Sequence, residues 1–167
     1  MSDVTILVHP HPLLRAVCPD VSEFTPQLEQ RFAQLDAMMR AGPGGVGIAA
    51  PQIGWQQRMM VVDCRLSQRP CRNHGLLWMC NPVIESATGS SLGREGCLSV
   101  PDWVGMVERA KSIRVTYDDM HGQRQQLESS GFEARVIQHE LDHLNGILFV
   151  DRVVSARDLV RRLAHQP

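Results

Sequence analysis

Apolar residues recur at helical spacing in two stretches of the chain and alternate with polar ones in several others. Over residues 26–40, Leu28, Phe32, Leu35 and Met39 fall on one stripe, which predicts an amphipathic helix with those side chains in the core. A second helix is expected to open at the capping-box pattern Ser130-Gly131-Phe132-Glu133 and to close at Gly146. Along it Phe132, Val136, His139 and His143 stand at i, i+4, i+7 and i+11, an inward stripe that Leu141 and Leu144 widen. Short strands are expected at 58–62, 76–80, 107–109, 112–117 and 124–128. Asp118-Asp119-Met120-His121-Gly122 would turn the last two into a hairpin, with His121 exposed. Residues 66–75, with Arg65, Arg69 and Arg72 nearby, read as a solvated loop. Residues 155–165, bearing Leu159, Val160 and Leu163, read as a short C-terminal helix. The expected architecture is α+β: small antiparallel or mixed sheets packed around a central helix, in a single domain over residues 1–167.

The second helix carries chemistry. His139 and His143 are four residues apart and share a helical face, so both imidazoles can reach one ion. Glu140 then stands beside any water that the ion carries, which is the minimum for metal-assisted hydrolysis. Histidines buried beside Phe132 and Val136 need polar partners, and a metal supplies one. Zinc peptidases of the HExxHxxGxxH pattern are excluded, because Phe149 occupies the place of their third histidine. Only Asp151 and Asp158 offer side-chain carboxylates after His143, and both are poorly placed, so a third ligand has to come from upstream. Glu95-Gly96-Cys97-Leu98-Ser99 offers a thiolate at Cys97. Cys97 could equally be a small buried hydrophobe, and Cys18, Cys64, Cys71 and Cys80 are also available, so the residues alone leave the choice open.

Three segments, in order, resemble the motifs of the peptide deformylases: Gly45-Val46-Gly47-Ile48-Ala49-Ala50-Pro51-Gln52, Glu95-Gly96-Cys97-Leu98-Ser99, and Gln138-His139-Glu140-Leu141-Asp142-His143-Leu144-Asn145-Gly146. His9-Pro10-His11-Pro12-Leu13-Leu14-Arg15 is similar to the family's amino-terminal stretch, so the likeness spans residues 5–150. The resemblance implies a cytoplasmic hydrolase that removes the formyl group from the N-terminal methionine of nascent polypeptides at the ribosome. It implies that Cys97, His139 and His143 bind one divalent metal, with Glu140 as the acid/base and the Gln52 amide facing the metal. Iron(II) is the metal implied, with zinc, nickel or cobalt able to substitute; a Cys/His/His set suits zinc and iron alike. The physical chemistry agrees: a metal lowers the pKa of its water toward neutrality, and the hydroxide attacks the formyl carbon. The metal, the Gln52 amide and the Leu98 backbone N–H are then the donors on offer for the oxyanion. By analogy with the family, Val46, Gly47 and Gly96 would pair with an extended peptide, and Val46 and Val136 would line the methionine pocket. Glu95 and Arg109 resemble a pair that braces the cysteine segment from behind.

One departure stands out. Where many members read Val-Pro-Gly-Tyr-Arg-Gly, this chain reads Val100-Pro101-Asp102-Trp103-Val104-Gly105, so Val104 replaces a frequent arginine near the substrate groove. The glycine-rich run Gly42-Pro43-Gly44-Gly45-Val46-Gly47 lacks the Lys-Ser/Thr of a phosphate loop and follows no strand pattern, which removes the nucleotide reading.

Composition narrows the picture further. A formal net charge of −1 provides no field for nucleic acid. No apolar run approaches the length of a membrane span, and no charged, apolar leader is visible. Five cysteines without a tight framework suit a reducing cytoplasm. Two other readings stay open: a metallopeptidase cutting internal amide bonds, and a binding module with a purely structural metal. The first lacks its third histidine, and the second needs a fourth protein ligand.

Overall fold

The computed structural model describes residues 3–162. In chain order its main elements are α1 (Pro26–Ala41), β1 (Gly47–Ala49), β2 (Met59–Asp63), β3 (Leu76–Thr88), β4 (Ser91–Cys97), β5 (Val100–Arg109), β6 (Ser112–Asp118), β7 (Arg124–Ser130), α2 (Gly131–Leu144) and β8 (Val160–Arg161). Two sheets form, ordered β1-β2-β3-β6-β7 and β4-β5-β8. The strand pairs are antiparallel, so the mixed alternative does not arise among the described residues.

Strand β2 explains how the layers stack. Its residues are all buried, because both of its faces are covered. Met59 and Val61 point to Leu28, Phe32, Leu35 and Met39 of α1, the stripe expected from the sequence. Met60 and Val62 alternate to the other face and pack with Ala134, Val136, Ile137 and Leu144 of α2. Helix α2 therefore lies buried along most of its length, with the histidine motif inside the molecule. A third core, with Leu14, Val100, Val107, Leu148 and Phe149, ties the smaller sheet to the chain that follows α2.

Several expectations need correction. Ser130 precedes α2 but its side chain caps nothing, so the capping box does not form. Glu133 turns instead to His74, accepting from its backbone N–H and ring Nδ1 at 2.6 Å each, and from the Ser129 hydroxyl at 2.8 Å. The helix ends as expected, with Asn145 as its cap and Gly146 following at φ +73°. Phe132 does not face the core; it is 40% exposed at the rim of a cavity. The C-terminal helix expected over 155–165 is absent from its described part. A short 3-10 turn at Ala156–Asp158 leads into β8, which pairs Val160 with Val104 and Arg161 with Trp103. Leu163 and His165 lie outside the described residues. The β6–β7 hairpin forms, with the Asp119 carboxylate accepting from the backbone of His121 and Gln123 and with His121 exposed. Residues 66–75 lie largely in a loop, although Arg65 is not simply solvated: it holds the buried Asp63 carboxylate at 2.8 Å.

Candidate metal centre

Helix α2 brings His139 and His143 to one face a turn apart, and the end of β4 brings Cys97 against them. The β4–β5 register shifts between Gly96 and Cys97, so Cys97 ends the ladder opposite Val100 where the chain turns through Leu98 and Ser99. Cys97 Sγ lies 3.3 Å from His143 Nε2, and the ligand atoms of Cys97, His139 and His143 all lie within 4.8 Å of one another. Tetrahedral bonds of about 2.0 to 2.3 Å put ligand atoms about 3.3 to 3.6 Å apart, so this cluster is of the right size for one ion. His139 donates from Nδ1 to Glu95 Oε1 at 2.8 Å, which fixes its tautomer and leaves Nε2 as a lone-pair donor. His143 is fully inside, and its Nδ1 has no hydrogen-bond partner among the described residues. A soft thiolate with two imidazoles, so spaced and so oriented, fits a divalent transition metal.

The cluster opens into a cavity of about 310 Å³. Val46, Gly47, Gln52, Gly96, Cys97, Leu98, Val136, His139 and Glu140 all line it, while His143 lies beneath. The Ala49 N–H donates to Gln52 Oε1 at 2.9 Å, and this contact orients the amide. Gln52 Nε2 then lies 3.1 Å from Ser99 Oγ and 3.6 Å from Cys97 Sγ. Glu140 is buried, its Oε2 has no hydrogen-bond partner, and burial pushes its carboxyl up to about 7. Gly47 is required where it stands: a Cβ there would lie 2.8 Å from both Glu140 Oε1 and Val136 Cγ1.

Over residues 4–158 the sequence matches the family described as Polypeptide deformylase. This chain belongs to that family. A peptide deformylase of Brucella suis biovar 1 is 37% identical over 172 residues, covering 99% of this chain and 96% of that one. The crystal structure of peptide deformylase from Thermotoga maritima superposes with a TM-score of 0.83 at 35% identity, covering 91% of this chain and 98% of that chain. A Met-Ala-Ser-bound class I type b peptide deformylase from Acinetobacter baumannii gives a TM-score of 0.82 at 37% identity, with coverages of 90% and 98%. Peptide deformylases are metal-dependent hydrolases that remove the N-formyl group from nascent chains, and the α+β fold here is theirs. No helix among the described residues is long and apolar enough to cross a membrane.

The site rests on a buried charge network that extends beyond the expected Glu95–Arg109 pair. Arg109 grips Glu95 with two bonds of 2.9 Å and reaches Asp142 at 2.6 Å. Arg135 adds a bond of 2.7 Å to Glu95, and Arg152 binds Asp142 at 2.6 and 3.0 Å. Burial opposes the charge on Glu95, yet Arg109 and His139 hold its carboxyl well below the usual carboxylate range. The sequence reading did not single out Arg135, Asp142 or Arg152. Arg135 lies one helical turn before His139, so a charge on the motif's own face was the available signal.

Proposed function

We propose that this chain deformylates N-formylmethionyl peptides with Cys97, His139 and His143 holding the metal and Glu140 moving the proton. The observation that carries this reading is three metal-ligating atoms within 4.8 Å of one another beside a buried carboxylate whose Oε2 is unpartnered. When bound, the metal supplies a Lewis acid that polarises the formyl carbonyl and acidifies water. Glu140 takes the proton of the attacking water and delivers it to the departing amine, a general base turned general acid. The Gln52 amide and the Leu98 N–H donate to the oxygen on which negative charge develops. Losing one such donor raises the barrier by about 3 to 4 kcal/mol. Gly47 and Gly96 let the peptide lie extended against the β1 and β4 edges, while Val46 and Val136 receive the methionine side chain. The Met-Ala-Ser-bound structure of the Acinetobacter relative supports a short methionyl peptide as the ligand.

The working metal in this reading is iron(II), replaceable by zinc, nickel or cobalt. The enzyme acts as one catalytic domain on nascent chains at the ribosome, in the cytoplasm. Formate release from formyl-Met-Ala-Ser tests the proposal, using protein purified without oxygen and loaded with iron(II). Rapid turnover by the wild type, lost in Glu140→Ala with metal content retained, is expected. Equal turnover in Glu140→Ala removes the glutamate from its role.

A further inference from the structure

Beyond Val46 and Val136, the cavity has an outer wall to which the last described residue, Arg162, contributes. Strand β8 puts it there. Arg161 pairs with Trp103, the Arg162 N–H donates to Asp102 O at 2.6 Å, and alternation sends neighbouring side chains to opposite faces. The guanidinium comes to rest over Gly96: a Cβ at that glycine would lie 3.1 Å from Arg162 Nη2. Gly96 immediately precedes Cys97, so this cation stands above the β4 edge against which the proposed peptide would lie.

The other groups around it leave that charge uncommitted. Arg135, also in the wall, is saturated by Glu95, Val107 O and Ser91. Val104 is the neighbour of Gly96 on β5 and offers only methyl groups, its Cγ1 lying 3.3 Å from that same Cβ position. Among the described residues the Arg162 side chain has no carboxylate partner; the residue is held through its backbone N–H, which donates to Asp102 O. A planar fork of N–H donors beside an open strand edge matches oxygen acceptors on an extended chain, whose carbonyls project toward such a group at alternate residues.

We propose that Arg162 is a substrate-binding residue, gripping carbonyl or carboxylate oxygens of the peptide downstream of its first residue. The inference rests on deformylation at this site, and it makes the C-terminal strand part of the groove. The side chain can be removed cleanly, because β8 is held by backbone bonds and not by the guanidinium.

The test compares wild type, Arg162→Ala and the opposite-face control Arg161→Ala on three substrates: formyl-Met-Ala-Ser, its C-terminal amide, and formyl-methionine amide. Calorimetric binding of Met-Ala-Ser and thermal unfolding run alongside. Arg162→Ala is expected to raise KM for the tripeptide about tenfold with kcat unchanged, the worth of one charge-assisted hydrogen bond. Product affinity should fall in parallel, formyl-methionine amide should be hydrolysed as before, and Arg161→Ala should match wild type. A loss shared by the tripeptide and its amide assigns the contact to a carbonyl; a loss confined to the free acid assigns it to the terminal carboxylate. An unchanged tripeptide KM overturns the proposal. So does an equal loss on formyl-methionine amide together with a lowered unfolding temperature, which would make the role structural. If the wild type itself releases no formate, deformylation at this site is refuted, and the Met-Ala-Ser isotherms still decide for or against Arg162.

Discussion

Replacing Arg109 by leucine removes the hub of the buried network. Its side chain is 3% exposed and makes three bonds to two carboxylates, Glu95 at 2.9 Å twice and Asp142 at 2.6 Å. Removing one partner of a buried ion pair costs about 3 to 5 kcal/mol, because a charge is left without compensation. Here neither carboxylate is abandoned. Glu95 keeps Arg135 at 2.7 Å and His139 at 2.8 Å, and Asp142 keeps Arg152 at 2.6 Å. The lower end applies, about 3 kcal/mol, which in a domain of this size lowers the melting temperature by roughly 6 to 12 °C. Looser Glu95 also frees the His139 ring, so metal affinity should fall by about 10- to 100-fold. Scanning calorimetry and chelator competition read the two effects. The exposed pair Arg114–Glu128, at 49% and 72% side-chain exposure, is the control, and Arg114→Ala should cost at most about 1 kcal/mol. If Arg109→Leu melts within a degree or two of wild type and holds its metal as tightly, the network does not support the site.

Two further outcomes follow from single contacts. Gly47→Ala puts a Cβ 2.8 Å from Glu140 Oε1 and Val136 Cγ1, where carbon contacts need about 3.5 Å, so the carboxylate must yield by about 0.7 Å. We expect kcat to fall about 100-fold with metal content unchanged; undiminished kcat would mean that the position of Glu140 is not critical. Hydrogen bonds from Arg65, joined by Arg40, hold buried Asp63 at about 2 against an ordinary 3.8. A lowered folded-state pKa stabilises above the unfolded value, so this contribution is complete above about pH 4 and disappears as pH falls through about 2. Asp63→Asn should lower the melting temperature at pH 7 and converge with wild type toward pH 2; a constant difference between the two across that range would refute the linkage.

How much of this was legible in the sequence depended on where each residue's partner lies. Helix α1 announced itself, since Leu28, Phe32, Leu35 and Met39 carry the period and all are buried. The histidine pair and Glu140 were legible from local spacing alone, whereas Cys97 was one cysteine among five until the motifs were taken together. Strand β4 escaped because Ser91-Leu92-Gly93-Arg94-Glu95-Gly96-Cys97 has two glycines, two charges and little β propensity; pairing with β5 makes it a strand. The β8 region misled in the opposite direction. Leu159, Val160 and Leu163 have helical spacing, yet the backbone of Val160 and Arg161 is taken by β5. Glu133 looked like a cap because it stands three residues after Ser130, and it was drawn off by His74, far away in sequence. In each case a long-range partner overrode a sound local rule.

Helix α2 shows how structure separates supporting charges from reactive ones. Six of its residues are buried and polar: Glu133, Arg135, His139, Glu140, Asp142 and His143. Such a helix costs a great deal to bury unless each group is answered. Glu133 is answered by His74 and Ser129, Arg135 and His139 by Glu95, and Asp142 by Arg109 and Arg152. Two buried atoms of the helix remain unanswered, Glu140 Oε2 and His143 Nδ1. They belong to the proposed acid/base and to a proposed metal ligand. The same network answers Glu133, Arg135, His139 and Asp142 and leaves these two atoms open. Among the described residues Trp78 Nε1 is the one other buried side-chain polar atom without a partner, so within α2 polar satisfaction alone, without any motif, directs attention to the end that carries the proposed acid/base and metal ligand.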